Sequence, residues 1–328
     1  MGFIGSLRRI VLTPEVHNTY VSVRGFHVKS PQAQALLETI GRTFLEGYGD
    51  AAEAGRVSEI EPALERIPAR FRGFGYEGAA MALAIRDALP FGGGKLEEFL
   101  AGPGDRHVYM AYVGIGWAMA RLPRFRWHRL HAPDPLLRWL ALDGYGFHQA
   151  YFHTRRYVME HFQAERFPWP VDDDTGYANR AIDQGIGRAL WFVGGADVLQ
   201  VTRLVDGFAE SRRADLYSGV GLAATYAGGA DETELRELWR RAGTYRAHLI
   251  QGSAFAAAAR VRAGLVGPHV ETATRLFCGL APVEAAAVTD RARPGHSLPG
   301  EPPAYEIWRS RIRKTLAIGR YDRASDTR

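Results

Sequence analysis

Cysteine and lysine are almost missing from this chain of 328 residues. Its one cysteine, Cys278, excludes an internal disulfide and points to a reducing compartment. Within Arg275-Leu276-Phe277-Cys278-Gly279-Leu280 it reads as a small core residue, not a nucleophile. Lysine occurs only at positions 29, 95 and 314, against 38 arginines, a bias that with abundant Ala and Gly fits a GC-rich genome. No run approaches the roughly 20 apolar residues that a membrane helix needs. Ile10-Val11-Leu12, behind two arginines, falls far short of a signal-peptide core. Met1-Gly2-Phe3-Ile4-Gly5-Ser6 matches an N-myristoylation pattern by chance. The expectation is a cytoplasmic protein that does not insert into membranes.

Cofactor and metal motifs are missing as well. The Gly-x-Gly steps lack the third glycine and the preceding strand of a dinucleotide fold. Phe91-Gly92-Gly93-Gly94-Lys95 lacks the first P-loop glycine and has Leu96 where a Mg²⁺-binding hydroxyl belongs. His148 and His153 are five apart and share no face of a straight helix, so no metal site is read there. The net charge of +5 is modest and spread out, apart from Arg309, Arg311, Arg313 and Lys314 near the end, which disfavours a nucleic-acid partner.

What is abundant is glycine in helical surroundings. Ser30-Pro31 reads as a helix start, and Leu36, Leu37, Ile40, Phe44 and Leu45 then recur at three- and four-residue steps. An apolar residue, Gly-x-Gly and an Ala-rich helix return at Gly73-Phe74-Gly75, Gly114-Ile115-Gly116, Gly144-Tyr145-Gly146, Gly185-Ile186-Gly187 and Gly219-Val220-Gly221. Gly252-Ser253-Ala254 and Gly279-Leu280-Ala281 read as decayed copies, giving intervals of 41, 30, 41, 34, 33 and 27 residues. Such spacing marks helical repeats that bury their apolar faces on their neighbours. An interior glycine costs about 0.8–1 kcal/mol relative to alanine, so its return implies a shared need. Close helix packing leads, ahead of ligand access to the backbone. The expected fold is all-α: successive α/α helix pairs in a superhelix or toroid, with at most a short extended N-terminal segment. Residues 1–30 form an extended arm containing the alternating stretch Thr19–Val28, 31–293 the helical domain, and 294–328 a loop, a basic amphipathic helix and a tail. Ala196–Phe208 with Ala214–Tyr226, and Thr233–Ala242 with Tyr245–Ala263, are the clearest pairs.

Polar groups concentrate between Asp143 and Arg188. Asp172-Asp173-Asp174 could hold Mg²⁺ and a diphosphate, but helix capping from Asp174 or Thr175 is the simpler reading. In the segment from Tyr177 to Phe192, Asp183, Gln184 and Arg188 lie among strongly apolar positions and must be paired if buried. A structural Asp-Arg pair, such as Asp183 with Arg180, competes with a polar cluster at the base of an apolar cavity. Arg212, Arg213 and Asp215 are placed to join either.

These residues carry a resemblance. Asp183-Gln184-Gly185-Ile186-Gly187-Arg188-Ala189-Leu190-Trp191-Phe192, Asp215-Leu216-Tyr217-Ser218-Gly219-Val220-Gly221-Leu222-Ala223 and Tyr226-Ala227-Gly228-Gly229 resemble the UnbL-type family of actinobacterial enediyne gene clusters. Arg24-Gly25-Phe26 and Gly73-Phe74-Gly75-Tyr76-Glu77-Gly78 are similar to the same family. The resemblance implies a domain of unknown function encoded beside an enediyne polyketide synthase, handling its linear polyene during maturation to the enediyne core. It brings no established catalytic residues and no cofactor.

Two expectations follow. In the first, an apolar channel holds the polyene: Asp183 and Arg188 form a paired polar centre, His148 and His153 transfer protons, and Tyr145, Gln184, Trp191 and Phe192 line the site. In the second, the chain is a non-catalytic scaffold or carrier docking with the polyketide synthase, in part through its basic C-terminal helix.

Overall fold

A computed structural model describes residues 16–90, 92–170, 173, 175–295 and 302–325. The Met1–Ser6 pattern, Ile10–Leu12, Phe91, Asp172 and Asp174 lie outside the described residues. Helices account for the regular structure, with no strand among the described residues. The main ones are α1 (Pro31–Glu53), α2 (Ala69–Ala88), α3 (Val108–Arg121), α4 (Arg138–Phe152), α5 (Ala178–Val193), α6 (Val198–Asp206), α7 (Glu210–Ala227), α8 (Glu232–Arg241), α9 (Arg246–Arg262), α10 (Pro268–Cys278), α11 (Pro282–Arg291) and α12 (Ala304–Ser325).

Seven of these, α1, α2, α3, α4, α5, α7 and α9, form a row in which each packs along the next. The glycines explain how. Two residues are about 200° apart around a helix, so the two glycines of a Gly-x-Gly look in nearly opposite directions. A Cβ added at Gly144 would strike the backbone of Val113 on α3, and one at Gly146 that of Ile182 on α5. Gly185 abuts Asp143 on α4 and Gly187 abuts Leu216 on α7; Gly219 abuts Gln184 on α5 and Gly221 abuts Leu249 on α9. The first glycine thus faces the preceding helix and the second the following one. Neighbours run antiparallel, since Gly146 meets Ile182 while Asp143 meets Gly185. The close-packing explanation of the glycine step therefore holds, but the step marks a continuous row, not separate pairs.

Gly279 and Gly73 depart from the expected pattern. Gly279 caps α10 with φ +68, a left-handed conformation suited to glycine. Gly73 faces the Tyr226 hydroxyl instead of a helix backbone, and its place in the row is taken by Gly78 against Phe44 and Gly47 against Gly75.

The shorter α6, α8 and α10 pack beside the row, and α9 carries α11 and α12. The row curls, because Phe74 on α2 stacks edge-on against Tyr226 on α7 at 5.2 Å and Arg260 on α9 donates to the Arg70 carbonyl at 2.9 Å.

The expected extended stretch is corrected. Val16–Thr19 is a 3-10 turn and Val21–Arg24 a single α turn. A lone strand leaves its backbone groups without partners, whereas here Gly25 (φ 65) closes the turn and the Val21 N–H donates to Glu38 at 3.1 Å. The C-terminal helix is also not a free docking element. Tyr305, Trp308, Arg309, Ile312 and Leu316 are buried, and only Arg311 and Lys314 of its basic cluster are exposed.

Candidate functional site

Beneath the N-terminal turns, α1 to α5 enclose an apolar cavity of about 60 Å³. That is space for about two waters at ~30 Å³ each. Phe44, Trp117, Phe147, Tyr151 and Phe192 supply aromatic walls. The Phe44 and Trp117 rings lie 4.5 Å apart, and Trp117 and Phe147 5.2 Å. The N-terminal segment covers it: the Tyr151 hydroxyl donates to the Thr19 carbonyl, and Arg24 donates to the Tyr151 and Phe152 carbonyls that end α4. Exposed Arg121 marks the rim.

Besides Thr19, Tyr151 and the rim Arg121, the polar side chains lining this space are Glu77, Arg188 and His148. Glu77 is buried and has no well-formed hydrogen bond; its nearest cation is Arg188, at 4.0 Å. Burial drives its carboxyl up to about 7; Arg188 and the Trp117 indole oppose this and Asp143 adds to it. Arg188 meets Asp143 in a much shorter ion pair. Burial lowers its affinity for its proton, but Asp143 and Glu77 together hold it above the ordinary value. One guanidinium thus faces two carboxylates, and the more distant one is free to exchange a proton near neutrality. Burial, then Arg121, His153 and Arg24, push His148 down to about 3, so it is a neutral imidazole there, with Nδ1 unpartnered. A second apolar cavity, of about 30 Å³ between α3, α4, α7 and α9, shares Arg188 and adds Asp143 to its lining.

From Asp143 a chain of buried polar groups runs through the row. Gln184 Nε2 donates to Asp143 at 2.7 Å and to the Tyr305 hydroxyl at 3.0 Å. The Ser218 hydroxyl sits 2.8 Å from Gln251 Oε1 and 3.2 Å from Gln184 Oε1 and gives its one proton to either. Arg309, fully buried on α12, donates to Gln251 at 2.9 Å and pairs with Asp215 at 2.7 Å. Arg309 and Arg180 outweigh burial and hold Asp215 below the ordinary carboxylate range. Tyr177 donates to Glu306 at 2.7 Å, and Arg313 pairs with the other oxygen of Glu306 at 2.6 Å.

The expected Asp183–Arg188 centre does not form. Arg212 grips Asp183 with two hydrogen bonds, 2.6 and 2.9 Å long, while Arg188 pairs with Asp143. Nor does Asp183 pair with Arg180, which binds Asp215. At helical spacing Asp183 and Arg188 are five apart and leave opposite sides of α5. Of the expected residues, Arg188, His148 and Phe192 reach the apolar cavity. Asp183, His153 and Tyr145 line a separate cleft. Gln184 belongs to the polar chain, and Trp191 is core, its indole donating to the Gly228 carbonyl at 2.9 Å. Asp173 caps the α5 start, accepting from the Thr175, Tyr177 and Ala178 backbone N–H groups, and the Thr175 hydroxyl also accepts from Tyr177, while the expected Asp174 cap lies outside the described residues.

Glu77, Asp143, Gln251 and Arg309 were not singled out as site residues in the sequence. The available signal was positional: a polar residue directly precedes a row glycine in Glu77-Gly78, Asp143-Gly144, Gln184-Gly185, Ser218-Gly219 and Gln251-Gly252. No curated protein and no solved structure matches the chain. Residues 3–316 match the family model described as protein of unknown function, DUF1702, and the chain belongs to that family.

Proposed function

We propose that the chain holds a linear conjugated hydrocarbon in the cavity beneath its N-terminal turns and presents Glu77 to it as a proton donor and acceptor. The occupant we assign is the polyene of an enediyne polyketide synthase, on the strength of the UnbL-type motifs around Gly185 and Gly219. The observation that carries the reading is the cavity itself. Its walls are aromatic, and its one titratable carboxyl is poised near neutrality, opposed by Arg188 at 4.0 Å and by the Trp117 indole. Groups that exchange protons at neutral pH are matched to acid–base work. At about 60 Å³ the space is smaller than the ~150 Å³ that admits benzene, so a polyene enters only as the aromatic walls and the N-terminal turns move apart. Arg188 also lines the second apolar cavity, of about 30 Å³.

The test pairs binding with product formation. Wild-type protein should retain a purified linear polyene, with Trp117 fluorescence quenched and the quench lost in Trp117→Leu. Glu77→Gln should keep the polyene but lose pathway product in a reconstituted system. Full product from Glu77→Gln would remove the proton-transfer role, and no retention by the wild type would remove the reading altogether.

A further inference from the structure

On the far side of α4, α5 and the Arg155–Met159 turn lies a cleft of about 290 Å³, several times the apolar cavity. Its floor is electrically settled. Arg212 neutralises Asp183 through two hydrogen bonds and donates its remaining arm to the His161 carbonyl at 2.7 Å. Its rim is not. Arg124 and Arg156 both line the cleft, and neither has a carboxylate or carbonyl partner among the described residues. Neither is a loosely waving surface arginine. Arg156 stacks on Phe162 at 3.8 Å, and Arg124 lies over Trp127 at 5.9 Å. Stacking pre-orients a guanidinium and leaves its N–H edge free for an oxyanion. Tyr157 lines the same cleft; burial, then Tyr145, raises its hydroxyl, and Arg156 and Arg124 act against that rise. Tyr145 and Phe162 add flat apolar walls.

Two unpaired, ring-stacked guanidinium groups and a buried hydroxyl around a cleft with a neutral floor suit an anion with a planar apolar body. We propose that this cleft is a second binding site, for a carboxylate or phosphate carried on an aromatic or conjugated small molecule, with Arg124, Arg156 and Tyr157 taking the oxyanion. The proposal does not depend on the polyene reading of the other cavity.

Calorimetric titration of the full chain with benzoate, phenyl phosphate and inorganic phosphate tests it. At least one aryl anion should bind saturably in the millimolar range or tighter, and the stronger of benzoate and phenyl phosphate identifies the headgroup. Arg156→Gln and Arg124→Gln should each weaken it roughly tenfold, as expected for loss of one charge-assisted contact. Both side chains are exposed and unpaired, so these variants keep the fold, which circular dichroism checks. Glu77→Gln should leave the affinity unchanged, which separates this site from the apolar cavity. Absence of saturable aryl-anion binding, or equal affinity in the Arg124→Gln/Arg156→Gln double variant, would overturn the proposal. Inorganic phosphate binding as tightly as phenyl phosphate would overturn the requirement for an apolar body.

Discussion

Consider Gly185→Ala against Gly75→Ala. Both sit inside long helices of the row, and on intrinsic propensity alone each substitution should gain about 0.8–1 kcal/mol. Their surroundings differ. A methyl at Gly185 would lie 2.7 Å from the Asp143 carbonyl carbon and 2.8 Å from the Phe147 nitrogen, with the Asp143 oxygen closer still. Non-bonded carbons prefer about 3.5–4.0 Å, and here every obstacle is backbone, so α4 and α5 must part by about 1 Å. That separation stretches the 2.7 Å Gln184–Asp143 bond beyond hydrogen-bonding range. Overpacking costs about 1–3 kcal/mol and a lost bond to a buried charged group about 1.5–3. After the propensity gain, the net loss is about 1.5–5 kcal/mol. At Gly75 the methyl meets the Cδ1 end of Ile67, then Leu64 Cδ2 at 3.4 Å, both movable side-chain tips. Gly75→Ala should therefore stay within about 1 kcal/mol of wild type, since tolerated repacking usually costs less than about 1.5. Urea unfolding read through the midpoint, with an unchanged slope, measures both. Equal stabilities for the two variants would refute the view that backbone contact at the glycine step holds the row together.

The pH dependence of stability should carry a Glu77 signature. Its carboxyl lies at about 7 folded against an ordinary 4.5, so the folded state binds the proton more tightly and stability falls as pH rises between those values, by about 3 kcal/mol in total. Glu77→Gln should remove that part of the slope and be more stable than wild type at pH 8 in thermal melts; a variant less stable there would contradict the assignment. A double-mutant cycle should give a coupling above ~1 kcal/mol for Asp183 with Arg212 and within ~0.5 kcal/mol of zero for Asp183 with Arg188, since only the first pair touches. Arg309→Ala, which removes the one fully buried cation of Asp215 and leaves it the half-exposed Arg180, should cost about 3–5 kcal/mol, while exposed Arg311→Ala stays within ~0.5 kcal/mol, by chemical denaturation.

The all-helical class could be read directly, because periodicity and glycine spacing are local properties of the chain. So could several helices: Glu210–Ala227 and Arg246–Arg262 begin and end within a few residues of the expected Ala214–Tyr226 and Tyr245–Ala263. The importance of the Gly144 and Gly185 neighbourhoods was legible too, since buried charge among apolar residues demands partners. Which partners was not. Arg188 finds Asp143 45 residues away, and Asp183 finds Arg212 29 residues away, by the antiparallel register of α4, α5 and α7. Register is a property of packed neighbours, so local spacing suggested Arg180 or Arg188 for Asp183. Arg309 was hidden for the same reason, since a basic amphipathic helix reads alike whether its arginines face water or a buried Asp215.

The glycine row and the polar chain are one device. Asp143, Gln184, Ser218 and Gln251 each sit next to a glycine at which two helix backbones meet, and the helices lie close enough for short side chains to bridge them. Asp143 and Gln184 bond directly at 2.7 Å, whereas helices with ordinary side chains at the contact lie about 8–10 Å apart. The same closeness seats Asp143 against Arg188, so the guanidinium lies 4.0 Å from Glu77, where burial outweighs its opposing charge. Were α4 to move outward, Arg188 would turn to its remaining carboxylate, and Glu77 would lose its proton well below neutrality. The glycines between α4 and α5 therefore set the charge state of a group that they do not touch. Their contribution to the site is electrostatic as much as it is steric.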